Sequence, residues 1–252
     1  MSDPNSGFQP PPPPMQTAAA VEPTISTAES LTGIFFEPSH VFEGLRSRPR
    51  FLVAGLILIL ATVLVTAVLF MRVDIGQFIR DKMDQSPNAA QQTEEQKEMG
   101  ARIGKLAIGL AGPVFVPISI AAGAGLYLLA VMAFGGSLSY KRSLSVWVYS
   151  SLPPSVLGAL VAVVVLFLKA PDTVDPEKLL ITNPGAFLGQ GSSPVLTALL
   201  SHFDLLRFYG MFLAAVGLRK LGKLSSGAAW GVVILFWLIG LVLSVASKAA
   251  FG

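Results

Sequence analysis

Residues 51–71, FLVAGLILILATVLVTAVLFM, form an apolar run without a single charged side chain. A helix rises about 1.5 Å per residue, so roughly 20 apolar residues are needed to cross the hydrocarbon core of a bilayer. This run therefore predicts a transmembrane helix. The composition agrees with a membrane protein, because only 13% of all residues are charged. That is about half of the share of ~25% that is usual in soluble proteins.

Four further segments are apolar and long enough to predict membrane spans. With the first run, the predicted spans cover about residues 51–71, 106–134, 144–168, 200–219 and 227–247. The expected fold class is therefore all-α. It is a polytopic membrane helical bundle with five transmembrane helices within residues 51–249 and a short interfacial helix before the first.

The second predicted span contains Pro113 and Pro117, each of which removes a backbone donor from a helix. Membrane proteins tolerate such helix breaks where neighbouring helices satisfy the freed carbonyl groups. The small residues AAGAG at 121–125 also allow another helix to approach closely. We therefore predict that this span lies inside the bundle.

Two consecutive prolines, Pro153 and Pro154, interrupt the third predicted span. The simplest arrangement starts a new helix near Ser151, because prolines in the first turn of a helix cost no hydrogen bond. The preceding turn, with Trp147 and Tyr149, would then lie at the membrane interface, where such rings are favoured. Both prolines are accordingly predicted as helix breaks.

Residues 1–25 are predicted to form a disordered, proline-rich cytoplasmic tail. Residues 10–14 are all proline, which favours an extended segment, and the surrounding residues are small and polar. We interpret the segment as a spacer rather than as a docking peptide, since no basic residue flanks it. The tail also lacks the basic start and apolar core of a signal peptide.

Residues 26–50 precede the first span and are predicted to form an interfacial amphipathic entry segment. Ile34, Phe35 and Phe42 belong to its apolar face, and Glu37 with Pro38 indicates a helix start. The favoured interpretation is a helix seated on the membrane surface. The alternative is a surface that binds a protein partner or lipid on the cytoplasmic side. The two interpretations are compatible with each other.

Basic residues predict the orientation of the chain. They cluster before the first span, between the second and third, and between the fourth and fifth, as Arg46, Arg48, Arg50, Lys141, Arg142, Arg219, Lys220 and Lys223. Short cytoplasmic loops carry such an excess of lysine and arginine. We therefore expect a bacterial cytoplasmic (inner) membrane protein with its amino terminus in the cytoplasm and its carboxyl terminus outside.

Two charged residues, Asp204 and Arg207, lie within the fourth predicted span. A helix that starts near residue 199 or 200 would place both on the side of small residues that faces the bundle. The favoured interpretation is a buried structural pair at positions i and i+3. The alternative is a polar site for a ligand, an ion or a proton. His202 and Asp204 could offer two metal ligands, but no third ligand is evident, so no metal site is predicted.

Several function classes are excluded or disfavoured by composition. The chain has no cysteine, which excludes thiol catalysis, disulfides and iron–sulfur clusters. A net charge of +3 is too small to indicate nucleic-acid binding. No nucleophile elbow, phosphate-binding glycine loop or HExxH motif is present. We therefore expect no enzyme and no cofactor.

Four stretches in order carry a resemblance to a known family: IFFEPSHVFEGL (34–45), GG (135–136), VYSSLPP (148–154) and FDLLRFYGMFLAAVGL (203–218). Over roughly residues 29–249 the chain resembles the Yip domain family, named for interaction with Ypt/Rab GTPases. The resemblance implies a five-span helical membrane protein with a cytoplasmic amino terminus. Eukaryotic members are linked to Rab GTPases and to traffic between the endoplasmic reticulum and the Golgi.

The loop FLKAPDTVDPEKLLITNPGAFLG (167–189) is similar to prokaryotic members of that family. The resemblance is therefore extended to fold and topology, and not to a trafficking role. The expected function is that of a non-enzymatic scaffold that organises protein partners or lipid at the membrane, with self-association left open. The alternative is a small transporter or permease subunit that uses Asp204 and Arg207.

Overall fold

A computed structural model describes residues 25–86, 89–189 and 191–251 of the chain. The predicted proline-rich tail lies outside these residues, except for its last residue. The helices of the described part are α1 (Thr27–Gly33), α2 (Pro38–Ser47), α3 (Leu52–Arg72), α4 (Ile75–Asp84), α5 (Glu94–Leu110), α6 (Val116–Ala133), α7 (Tyr140–Leu168), α8 (Pro194–Ser201), α9 (Leu205–Gly222) and α10 (Ser226–Phe251).

Helix length and composition confirm the predicted fold class. Four helices of the described part could each cross a membrane: α3, the continuous helix Glu94–Ala133 formed by α5 and α6, α7, and α10. The helices α8 and α9 are bent by 44° relative to each other at a short break, and together they could form a fifth span. The prediction of a polytopic helical bundle is thus confirmed, and a count of five spans is consistent with it.

The prolines of the second span do not break it. A π-helical turn, Ala111–Phe115, contains Pro113 and joins α5 to α6, and Pro117 lies in the first turn of α6. A π turn absorbs an extra residue without ending the helix. Helix α3 packs tightly against this turn, because a Cβ atom added at Gly112 would lie 2.6 Å from Cγ2 of Val63. The predicted breaks are therefore a local widening of one continuous helix.

The predicted break at Pro153 and Pro154 is also wrong, because α7 runs through both prolines. Pro154 cannot donate to the carbonyl of Ser150, and that carbonyl faces α9 at a position where α9 carries Gly210. A Cβ atom added at Gly210 would lie 3.4 Å from both the Ser150 carbonyl oxygen and the Pro154 ring. Close packing of α9 thus covers the place where the helix lacks a hydrogen bond.

Because α7 is continuous, Trp147 and Tyr149 belong to the bundle rather than to an interfacial turn. Tyr149 is only 1% exposed and lies in the main core cluster. Trp147 packs edge to face against Tyr127 of α6, with ring centroids 5.0 Å apart. Both rings therefore help to hold α6 and α7 together.

The entry segment forms two short helices that dock on the bundle. Ile34 and Phe42 are fully buried, so the predicted apolar surface faces protein and is not available to lipid or a partner. Phe35 is half-buried, whereas Phe36 is 86% exposed at the turn between α1 and α2. Phe42 can be buried because α9 carries Gly217 at the contact, where the missing side chain leaves space for the Phe42 ring.

Polar contacts tie the same segment to α7 and α9. The Tyr209 hydroxyl donates to the Phe35 carbonyl at 3.1 Å. The Arg142 side chain donates from Nε to the Arg46 carbonyl at 3.0 Å. Glu43 forms an ion pair with Lys220 at the end of α9. The turn of the entry segment therefore lies deeper in the bundle than its two ends.

Candidate functional site

The fourth predicted span is broken at Asp204, which is the N-cap residue of α9. Oδ1 of its carboxylate accepts a hydrogen bond from the backbone N–H of Arg207 at 3.0 Å. A helix start has free N–H groups and favours a negative charge. The expected helix from residue 199 or 200 through Asp204 is therefore wrong, because this carboxylate begins a new helix.

A loop segment supplies the other partners of the Asp204 carboxylate. The Thr182 hydroxyl donates to Oδ2, and the Asn183 side-chain amide donates to the same oxygen at 3.3 Å. The backbone N–H of Leu205 donates to the Thr182 carbonyl at 3.1 Å. Asp204, which is 9% exposed, thus joins the loop between α7 and α8 to the start of α9.

Arg207 does not form the predicted side-chain pair. Within the described residues, no ion pair joins its guanidinium to Asp204, and the residue is exposed. Its Nη1 atom lies 3.4 Å from Nδ1 of His202. The helix geometry accounts for this, because the carboxylate turns towards the backbone of α9 while the guanidinium points away from it.

His202 links the break to α10. Its Nε2 atom lies 3.0 Å from the carbonyl oxygen of Trp237, which can only accept, so Nε2 carries the proton. Nη1 of Arg207 lies almost equally far from both nitrogens of this ring, 3.4 Å from Nδ1 and 3.5 Å from Nε2. Gly240 allows this approach, since a Cβ atom there would lie 3.4 Å from the imidazole.

Helix contacts place Arg207 beside the apolar part of α7, well before the end of that helix. Arg72 at the end of α3 donates from Nε to the Leu166 carbonyl at 3.1 Å, so α3 and α7 end at the same level. The side chain of Leu206 packs at Gly158, where a Cβ atom would lie 3.4 Å from Leu206 Cδ1. Gly158 precedes the last residue of α7 by ten positions, which is about 15 Å of helix, and the hydrocarbon core is about 30 Å thick.

An open cavity of about 1030 Å³, here called the lateral groove, adjoins these residues. It is lined by α3, α6, α7, α8, α9 and α10 and by the loop between α7 and α8. Its walls are mostly apolar, and Trp147 and Trp237 belong to them. Ser151, Ser155 and Arg207 add polar groups. The groove can therefore accept a molecule that is mostly apolar but has a polar end.

Metal binding has no support in the side-chain geometry. Within the residues described, no group of three or more His, Cys, Asp or Glu side chains could hold a metal ion. His202 and Asp204, the two candidate ligands, are instead bonded to Trp237 and to the loop residue Thr182.

Some residues of this site were not predicted, although part of the signal was present. An aspartate directly before an apolar helical stretch, as in FDLLR, is a typical N-cap pattern. The pairing of Thr182 and Asn183 with Asp204 had no comparable signal, because these residues are far apart in sequence. The same holds for His202 and Trp237, which are 35 positions apart.

Comparisons with known proteins agree with this architecture. The family model described as Yip1 domain matches residues 32–247. The chain is 32% identical over 234 residues to "Membrane protein YknW" of Bacillus subtilis (strain 168), and the match covers 88% of this chain and 95% of that protein. No solved structure matches the chain significantly. The chain belongs to the Yip1 domain family of membrane proteins.

Proposed function

We propose that this protein is a non-enzymatic organiser of the membrane that holds a lipid in the lateral groove. The groove itself carries the proposal, since its volume of about 1030 Å³ and its mostly apolar walls suit acyl chains. Asp204, which also lines the groove, has a structural role, because its carboxylate begins α9 and holds a loop.

The polar groups of the groove support the same proposal. Ser151 and Ser155 lie one turn apart on α7, and neither hydroxyl has a hydrogen-bond partner among the described residues. Polar groups at membrane depth are costly when they lack a partner. A lipid can bind both parts of the groove, because its polar head can accept from the serine hydroxyls and its chains can contact the apolar walls.

Filling the groove tests the proposal. Ala159 lines the groove, so Ala159→Phe should reduce the number of phospholipids that remain bound in native mass spectrometry. Ala122→Phe is the matched control, because Ala122 is exposed on α6 and is not part of the lining. Equal lipid retention by both variants and the unchanged protein would contradict the proposal.

A protein partner is proposed at the turn between α1 and α2, where Phe36 is 86% exposed on the surface of the bundle. A photo-crosslinking residue at position 36 should give discrete protein adducts in native membranes. The same residue at position 99, where Met99 is exposed on α5, serves as the control. The absence of adducts specific to position 36 would rule out this surface.

Transport is the second candidate function. The break between α8 and α9 favours it, because half-helix ends near the middle of a membrane often frame transport sites. The test is proton flux into proteoliposomes with an imposed membrane potential. If protons pass through this site, the unchanged protein should give a flux that Asp204→Asn abolishes. Equal leakage from protein-containing and empty vesicles would eliminate proton transport.

The proposed location is the cytoplasmic membrane of a bacterium, with the amino terminus inside and the carboxyl terminus outside. The distribution of basic residues supports this orientation, since Lys141, Arg142, Arg219 and Lys220 all belong to one end of the bundle.

A further inference from the structure

We infer that the lateral groove selects an anionic phospholipid, whose phosphate binds the guanidinium of Arg207. This inference rests on the proposed lipid-binding function and adds the class of headgroup and the residue that recognises it. It assigns to Arg207 a role in selectivity, whereas the lipid-binding function requires only the shape and the apolar walls of the groove.

The state of the Arg207 side chain is the first argument. The residue is exposed in the groove, and among the described residues the only hydrogen-bonding contact of its guanidinium is with the ring of His202. A charged side chain among apolar helices in a membrane is costly when no opposite charge pairs with it. An anionic group in the groove would remove this cost.

The state of Asp204 is the second argument. Its carboxylate already accepts from Thr182, Asn183 and the backbone of α9, and no ion pair joins it to Arg207 among the described residues. The carboxylate also occupies the helix start, where an anion could otherwise bind. The side chain of Arg207 is therefore the group left to recognise an anion.

The charge of the lining agrees with an anionic headgroup. Its described charged residues are Lys178, Asp204 and Arg207, which gives two cations and one carboxylate. The Lys178 ammonium donates to the Leu188 carbonyl. A guanidinium presents several donors in one plane and suits the oxygens of a phosphate.

The apolar walls indicate a lipid rather than a free phosphate ion. A small ion would contact only the polar end of a groove of about 1030 Å³ and would leave the rest without an occupant. The depth of Arg207 further requires that the headgroup enters below the membrane surface. Ser151 and Ser155 offer hydroxyl groups to a headgroup within the groove.

Titration of the delipidated protein in detergent tests the inference. Phosphatidylglycerol and phosphatidylcholine with identical acyl chains are the probes, and native mass spectrometry measures the bound fraction. We expect phosphatidylglycerol to bind at least tenfold more tightly. Arg207→Gln should lower its affinity to that of phosphatidylcholine, and Arg207→Lys should retain part of the preference. Arg219→Gln is the control, because Arg219 is exposed outside the groove.

Three results would overturn the inference. Equal affinities for the two lipids, or an unchanged preference in Arg207→Gln, would show that Arg207 does not select the headgroup. Displacement of the bound lipid by sn-glycerol 3-phosphate would show that the phosphate alone is recognised. The lipid-binding function would survive the first two results as long as Ala159→Phe still reduces lipid retention.

Discussion

The imidazole of His202 donates to the carbonyl of Trp237 at 3.0 Å, and the indole N–H of Trp237 donates back to the carbonyl of His202 at 3.4 Å. This reciprocal pair joins the break between α8 and α9 to the middle of α10. His202 is only 4% exposed, so water cannot readily replace either hydrogen bond. The pair therefore holds the break between α8 and α9 against α10.

Removal of this pair should destabilise the protein in a non-additive way. His202→Ala and Trp237→Phe each remove one of these two hydrogen bonds, and each loss costs about 0.5–1.5 kcal/mol. The double variant should be less destabilised than the sum of the two, because the two rings also pack against each other, with centroids 5.2 Å apart, and both changes alter this contact. Thermal unfolding in detergent measures the effect, and strictly additive losses would contradict a coupled pair.

Asp204 should act as a helix cap and not as half of an ion pair. Asp204→Ala is expected to cost about 0.5–2 kcal/mol, and Asp204→Asn less, because asparagine also accepts from the helix start. Arg207→Gln alone should leave thermal stability nearly unchanged. The double variant Asp204→Asn with Arg207→Gln should then resemble Asp204→Asn. Recovery of stability in the double variant would instead indicate a direct ion pair.

Gly217 should be required for docking of the entry segment. A Cβ atom at this position would lie 2.9 Å from both Phe42 and Val146, so Gly217→Ala should lower stability by about 1–3 kcal/mol. Gly227→Ala is the matched control, since no atom lies within 4 Å of its added Cβ. Limited proteolysis should cleave the entry segment faster in Gly217→Ala, and equal rates in both variants would contradict the docking.

The ion pair of Glu43 with Lys220 should make stability depend on pH. The side-chain hydrogen bond from Lys220 lowers the pKa of Glu43, in spite of partial desolvation. The pair therefore stabilises the folded state above the usual glutamate pKa, and this contribution is lost as the pH falls through the lowered value.

Because Glu43 is about half exposed, the contribution should stay below about 1 kcal/mol and decrease with added salt. Thermal unfolding of Glu43→Gln between pH 6 and pH 3 should show a smaller loss of stability than the unchanged protein. Identical pH profiles would show that the pair contributes nothing measurable.

The proposed orientation can be measured directly, because the chain has no cysteine. Lys141→Cys should react with a membrane-impermeant maleimide only after the membrane is permeabilised. Gln85→Cys, after the end of α4, should react in intact cells. The reverse pattern would invert the topology, and labelling of both positions in intact cells would rule out the assignment of Lys141 to the cytoplasm.

The membrane-spanning character of this protein followed from the sequence alone. Each apolar segment partitions into a bilayer according to its own length and composition, so no tertiary contact was needed to find residues 51–71 or residues 227–247. The family resemblance was likewise visible in local stretches, such as residues 148–154.

The candidate site depended on contacts between distant segments, which local patterns cannot contain. Pro153 and Pro154 stay within α7, and Gly210 of α9 packs against Pro154 and the carbonyl of Ser150 that it leaves without a donor. Asp204 begins a helix and does not pair with Arg207, because Thr182 from a separate loop supplies a donor to its carboxylate. Partition into lipid is a property of one segment, but helix breaks, buried faces and the lateral groove arise only where segments pack together.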